Sequence, residues 1–243
     1  MSSPCFFVAG ATGYTGRHLV ENAVARGIRV VAHLRPGSPR SATVGARLEA
    51  KGAELAVVSW ERAELAAELA RVKPTHVFGL LGITKAGAKR EGARTGHTPS
   101  YAEVDTGLSK LLFEVASGLD PVPQLVYLSS LGADSPRGNA YLQARHTVEQ
   151  LLRNGTAPWT VVRPSFISGP DRDESRPGER FGSVVADAAL GLVGMLGGGS
   201  LRDRYSTASG AELGGCMVSA ALSPGSVGRV LDMHDLRREF SGG

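Results

Sequence analysis

The residues best suited to chemistry lie in YLSSLGADSPRGNAYLQARHTVEQLL, Tyr127 to Leu152. Ser129 and Ser130 end an apolar run, Tyr141 follows about twelve residues later, and Arg145 stands at i+4 from it. On a helix, Tyr141 and Arg145 share a face. A phenol with an ordinary pKa of about 10 exchanges protons poorly at neutral pH unless a nearby cation favours its ionised form. Arg145 supplies a permanent charge one turn away, and a serine hydroxyl at the C-terminal end of a strand can hydrogen-bond a substrate oxygen. Plainer roles exist for each residue. Tyr141 can be a helix tyrosine packed on the core, the serines a strand-end turn, and Arg145 the surface partner of Glu149, itself at i+4.

Positioning such a group requires a scaffold, and the N-terminal segment FFVAGATGYTGRHLVENAVARGIRVVAHLR, Phe6 to Arg35, supplies one. An apolar strand, a glycine loop, a helix and a second apolar strand follow without a break, as in a dinucleotide-binding βαβ unit. Gly10, Gly13 and Gly16 fall at GxxGxxG spacing. A strand must turn sharply into a helix, and the backbone must approach a pyrophosphate with no Cβ in the way. The helix beginning among Thr12, Gly13, Tyr14, Thr15 and Gly16 would aim free N–H groups and its positive dipole end at the phosphates. At the end of the second strand, where an Asp or Glu would accept a bond from an adenosine ribose hydroxyl, this chain has Arg35. A guanidinium matches a 2′-phosphate in charge and fork geometry, with Ser38 and Arg40 near enough to assist. The expected cofactor is therefore NADP(H). A solvated arginine on a loop is the alternative.

The rest of the chain fits this frame. Apolar β-type runs alternate with helix-period segments, which predicts an α/β, Rossmann-type, doubly wound parallel sheet. The expected strands after the second are Glu54–Ser59, His76–Leu81, Gln124–Ser129 and Trp159–Arg163. The expected helices are Ala42–Lys51, Ala63–Val72, a long Tyr101–Ser117 and Ala140–Arg153. Gly82 to Pro99 reads as a loop rich in Gly, Lys and Arg. All 243 residues are expected in one domain, with residues 170–225 an irregular segment on the substrate side.

Composition excludes several classes. A 42% hydrophobic and 21% charged chain is ordinary for a globule. The net charge of +4 is spread among acidic residues with no aromatic-basic motif, so no nucleic-acid partner is expected. Cys5 and Cys216 have neither disulfide-framework nor metal-ligand spacing. The apolar run Val184 to Leu196 is too short for a bilayer, and MSSPCFF lacks a signal-peptide pattern. The expectation is a cytoplasmic protein without metal or membrane partner. A homodimer is left open.

GATGYTG, YLSSLGAD, YLQAR and VVRPSFISG together resemble the atypical, NAD(P)H-binding branch of the short-chain dehydrogenase/reductase superfamily. LGITKAGAKREG, YLQARHTVE and DRDESRPGER are similar, in order, to the Tat-interacting oxidoreductase-like protein family, over about Phe6 to Asp235. The resemblance implies that Ser130 (or Ser129) orients a carbonyl and Tyr141 exchanges the proton. Arg145 then stands where the superfamily has a lysine that lowers the tyrosine pKa and holds the nicotinamide ribose. It implies further that Leu81, Gly82 and Ile83 lie against adenosine and ribose, and that Pro164, Ser165 and Phe166 border the nicotinamide. The acidic residue usual after the third strand is replaced by Ser59 and Trp60. The implied function is an NADP(H)-dependent oxidoreductase moving hydride between nicotinamide and a small carbonyl, alcohol or activated alkene. The alternative is a non-catalytic NADP(H) sensor acting on a protein partner, favoured by the missing lysine. The charged stretch Asp171 to Arg180 is a candidate substrate or partner loop.

Overall fold

Seven strands form one parallel sheet in the order β3-β2-β1-β4-β5-β6-β9 in the computed structural model, which describes residues 3–168 and 206–240. The strands are β1 (Cys5–Ala9), β2 (Arg29–Leu34), β3 (Glu54–Val57), β4 (His76–Gly79), β5 (Gln124–Leu128), β6 (Trp159–Arg163) and β9 (Arg229–Asp232). A small second sheet pairs β7 (Ile167–Ser168) with β8 (Ala208–Ser209). Helices α1 (Tyr14–Ala25), α2 (Pro39–Ala50), α3 (Arg62–Val72), α4 (Lys85–Thr95), α5 (Ser109–Ser117), α6 (Ala140–Asn154), α7 (Gly210–Leu222) and α8 (Met233–Phe240) pack around it. The order reverses between β1 and β4, and that is where a doubly wound sheet opens a crevice beyond the strand ends. The expected Rossmann-type architecture is present.

The period-2 pattern of β1 sets the two layers. Phe6 and Val8 point into a core shared with Leu19 and Val20 of α1 and Leu213 and Met217 of α7. Cys5, Phe7 and Ala9 point to the opposite face, against Leu65 and Leu69 of α3, Phe113 of α5 and Val148 of α6. Full burial of one such Leu or Phe is worth about 1.5–3 kcal/mol, so both faces hold the central strands in register.

Three expectations need correction. The stretch from Gly82 to Pro99 contains helix α4, capped by Thr84, whose hydroxyl accepts from Gly87 N–H at 2.9 Å. This helix buries none of its residues, so no apolar stripe marks it in the sequence. The long helix expected from Tyr101 to Ser117 is divided: Ala102–Leu108 is π-helical and only Ser109–Ser117 is α-helical. The described part of the supposedly irregular segment holds β8 and the well-formed α7. Its sequence, GAELGGCMVSAAL, is apolar nearly all round because it is packed nearly all round. A Cβ on Gly214 would lie 2.8 Å from the backbone nitrogen of Leu19, so α7 meets α1 almost backbone to backbone. The final strand, β9, pairs with β6 and was not expected. Asp171 to Arg180 and Val184 to Leu196 lie outside the described residues.

Candidate active site

The glycine loop leaves β1 at the switch point. Gly10 has a φ of 88°, in the left-handed region, and a Cβ there would sit 2.5 Å from the Leu80 carbonyl oxygen. A Cβ on Gly16 would run into the Gly10 carbonyl. The loop closes on itself through Gly13 N–H to Gly10 O at 2.9 Å, and Gly13 is the N-cap of α1 with no side-chain cap. Gly13 thus offers no side chain to cap the first-turn N–H groups of α1, the arrangement that receives a phosphate. This cradle, which side chains would fill, fits a dinucleotide. Thr12 is half-buried and Thr15 buried. Tyr14 faces the start of α7: its hydroxyl accepts from Gly210 N–H at 3.2 Å and its ring lies edge-on to His18.

Arg35 follows β2 and its guanidinium lies 3.0 Å from Glu91 of α4. The Arg35 carbonyl accepts from Ser38 N–H at 3.2 Å and from the Ser41 hydroxyl at 3.0 Å, so Arg35 to Ser38 is a tight turn. Beneath it, His33 is buried against Trp60 and Phe7, with ring centroids 4.6 and 5.9 Å away, and its Nε2 bonds the Val58 carbonyl. Burial pulls the His33 pKa down to about 4. Trp60 thus packs on β2, and Ser59 N–H donates to Glu64.

The other end is built from side-chain charges. Arg145 of α6 has a side chain only 7% exposed, and it forms a 2.8 Å ion pair with Asp105, which is wholly buried in the π-helical turn. The same guanidinium donates to the Leu128 carbonyl at 2.9 Å and to the Tyr127 hydroxyl at 3.1 Å. It also stands 5.1 Å from the centre of the Tyr141 ring. Gly82 is the floor of this cluster, since a Cβ there would strike the Arg145 guanidinium. Ile83 N–H donates to Asp105 at 3.0 Å, and Leu81 is buried. One carboxylate thereby ties the turn after β4 to the tyrosine helix. Burial pushes the Asp105 carboxyl above its ordinary value, opposed by Arg145 and by the Ile83 N–H. Burial also raises Tyr127 to about 12, against the pull of Arg145. Tyr127 is fully buried and stays a neutral hydrogen-bonding core residue.

The two serines separate sharply. Ser129 is buried, and its hydroxyl donates to Glu149 at 2.6 Å. Glu149, also wholly buried, is bidentate to Arg163 at 2.8 and 2.5 Å. The expectation of Ser129 as an alternative substrate contact is corrected: its proton is committed inward. Ser130, one residue on, is half-buried, and its hydroxyl makes only a long 3.3 Å contact with the Leu131 carbonyl. The Arg145–Glu149 surface pair does not form either, because Arg145 pairs with Asp105, and Glu149 with Arg163 and, at 3.8 Å, Arg153.

Tyr141 sits in the first turn of α6, which is capped by Asn139 accepting from Leu142 N–H at 3.0 Å. Its ring is half-buried and packs edge-on against Tyr101 at 5.6 Å. Beside this pair, a cavity of about 590 Å³ opens between α4, the π-helical turn and α6, lined by Ile83, Thr84, Tyr101, Thr106, Gln143 and Ala144 among others. After β6, Pro164 is buried, and the Ser165 hydroxyl donates to the Ser206 carbonyl at 2.6 Å. Phe166 is 46% exposed. Asp105 is the residue that sequence reading missed. The only signal was an acid in an otherwise apolar helix face, where an unpaired carboxylate would be costly.

A protein family described as NAD(P)H-binding matches residues 10–188. The chain belongs to that family. The family's description implies a nicotinamide cofactor as the ligand. A relative, the protein fmp52, mitochondrial, of Emericella nidulans, is 28% identical over 88% of this chain and 85% of its own length. Among solved structures, a Bacillus halodurans protein described as an NAD-dependent epimerase/dehydratase is 17% identical. It superposes with a TM-score of 0.65 over 94% of this chain and 92% of that one. Leucoanthocyanidin reductase of Vitis vinifera, solved with NADPH, is 14% identical with a TM-score of 0.64 over 96% and 72%. Those likenesses show the fold, and one title names NAD while the other names NADPH. No described helix is long and apolar enough to cross a membrane.

Proposed function

We propose that the protein is an NADP(H)-dependent oxidoreductase acting on a small carbonyl, alcohol or activated alkene. The observation that carries this reading is the clamp from Arg145 to the Leu128 carbonyl. It holds the Tyr141 helix against the end of β5, two residues before Ser130 and on the crevice edge of the sheet. The nicotinamide, when bound, supplies or accepts the hydride. The Tyr141 hydroxyl gives a proton to the substrate oxygen in reduction and recovers it in oxidation. Ser130 donates a hydrogen bond to the same oxygen. Arg145 is a positioning residue: through Asp105, Leu128 and the Tyr141 ring it fixes where the phenol stands. The glycine cradle holds the pyrophosphate, with Leu81, Gly82 and Ile83 against the ribose and Pro164, Ser165 and Phe166 at the nicotinamide edge. Arg35, with Ser38, receives the 2′-phosphate, which is why NADP(H) is preferred to NAD(H).

A second reading, an NADP(H) sensor that turns nothing over, is favoured by one feature. The arginine replacing the superfamily lysine is turned inward to Asp105 and Tyr127. Both readings are tested together by titrating NADPH and NADH against the intrinsic fluorescence while following NADPH oxidation with a panel of aldehydes, ketones and quinones. Turnover that disappears in Tyr141→Phe with binding intact supports the enzyme. Tight binding with no turnover on any substrate supports the sensor. A cytoplasmic location is part of the proposal. The mitochondrial name of the fungal relative supplies the alternative, and cell fractionation separates them.

A further inference from the structure

Helix α4 starts soon after the Leu81–Ile83 turn, and its second half returns to the end of β2, so it spans the adenosine edge of the crevice. There Glu91 sets a carboxylate oxygen 3.0 Å from the Arg35 guanidinium. The same carboxylate accepts from Arg94 at 2.7 and 3.3 Å. A carboxylate and a phosphate ester compete for the same guanidinium fork. Other chains of this fold place an acid at the end of the second strand, where it accepts a bond from the adenosine ribose and favours NAD. This chain has Arg35 at that place, and an acid reaches it from a different element.

We propose that Glu91 is a specificity-determining residue, whose carboxylate competes with the cofactor 2′-phosphate for Arg35 and so narrows the preference for NADP(H) over NAD(H). The inference rests on the reading of Arg35 as the phosphate partner. Arg94 makes the exchange cheap. It stands at i+3 on the same helix and keeps its hold on Glu91 when Arg35 lets go, so the displaced carboxylate is never left unpaired. Arg94 foremost, and Arg35 after it, hold the Glu91 carboxyl below its ordinary pKa against a modest burial cost, so the competitor is ionised at neutral pH. Arg35 is 46% exposed, so the pair is a surface pair, typically worth up to about 1 kcal/mol. Releasing it should change affinity by roughly two- to fivefold.

The test uses the full chain and four proteins: wild type, Glu91→Gln, Arg35→Ala and the double variant. Dissociation constants for NADPH and NADH are measured by fluorescence, with circular dichroism confirming the fold. Glu91→Gln should tighten NADPH roughly two- to fivefold, leave NADH no tighter, and give no gain in the Arg35→Ala background. If Arg35→Ala weakens NADPH while Glu91→Gln leaves it unchanged, weakens it, or tightens both cofactors alike, Glu91 is not the competitor and the reading of Arg35 stands. If Arg35→Ala leaves NADPH binding unchanged, the reading of Arg35 fails and the role of Glu91 with it.

Discussion

The two ends of the crevice are built from different materials. The glycine-loop end is backbone: Gly10 in the left-handed region, Gly16 against the Gly10 carbonyl, and a glycine at the N-cap of α1. The end formed by α6 and the π-helical turn is side-chain charge. Arg145 and Asp105 join α6 to the π-helical turn, while Glu149 and Arg163 join α6 to β6. Backbone recognition is encoded by neighbours in the chain. Charge networks are encoded by residues well separated in the chain, and their stability depends on every member being paired.

This contrast predicts a ranking of effects. Asp105→Ala leaves the Arg145 charge buried without its partner and should cost about 3–5 kcal/mol in urea unfolding. A loss under about 1 kcal/mol would mean that the network is not holding α6 to the π-helical turn. On β2, two residues before Arg35, His33 gives the protein an acid-sensitive element. Its folded pKa of about 4 lies below its ordinary value, so the unfolded chain binds the extra proton first. Stability from keeping His33 neutral is complete above about pH 6.5 and declines as pH falls toward 4, by on the order of 2–3 kcal/mol. His33→Phe should flatten that part of the stability profile. A slope unchanged by the substitution would assign it elsewhere.

The serines sharpen the comparison at smaller amplitude. Ser129→Ala removes the donor from buried Glu149 and should cost about 1–3 kcal/mol of stability. Ser130→Ala should change stability by less than about 0.5 kcal/mol, as expected away from buried networks, while lowering kcat. Reversed outcomes would exchange the structural and substrate-facing roles of these neighbours.

The same contrast explains what the sequence disclosed. The glycine loop, the strand–helix–strand unit around it and the placement of Tyr141 on a helix were legible because each rests on local spacing. The tie between Asp105 and Arg145 was not, because no short-range pattern announces a partner forty residues away. Glu149 showed the converse failure: i+4 spacing suggested Arg145, yet Arg163 of β6 and Ser129 just after β5 take both oxygens. Helix α4 was hidden by its lack of a buried face, and α7 by being buried too evenly to show a stripe. Residues that meet solvent or meet everything carry little periodic signal.

The most direct test of the central claim is single-turnover oxidation of bound NADPH by a carbonyl substrate in wild type and Tyr141→Phe, with NADPH affinity measured on the same samples. The account predicts equal affinity and a hydride-transfer rate at least about 100-fold lower in the variant, the usual contribution of a positioned proton donor. Equal rates in the two proteins would contradict it.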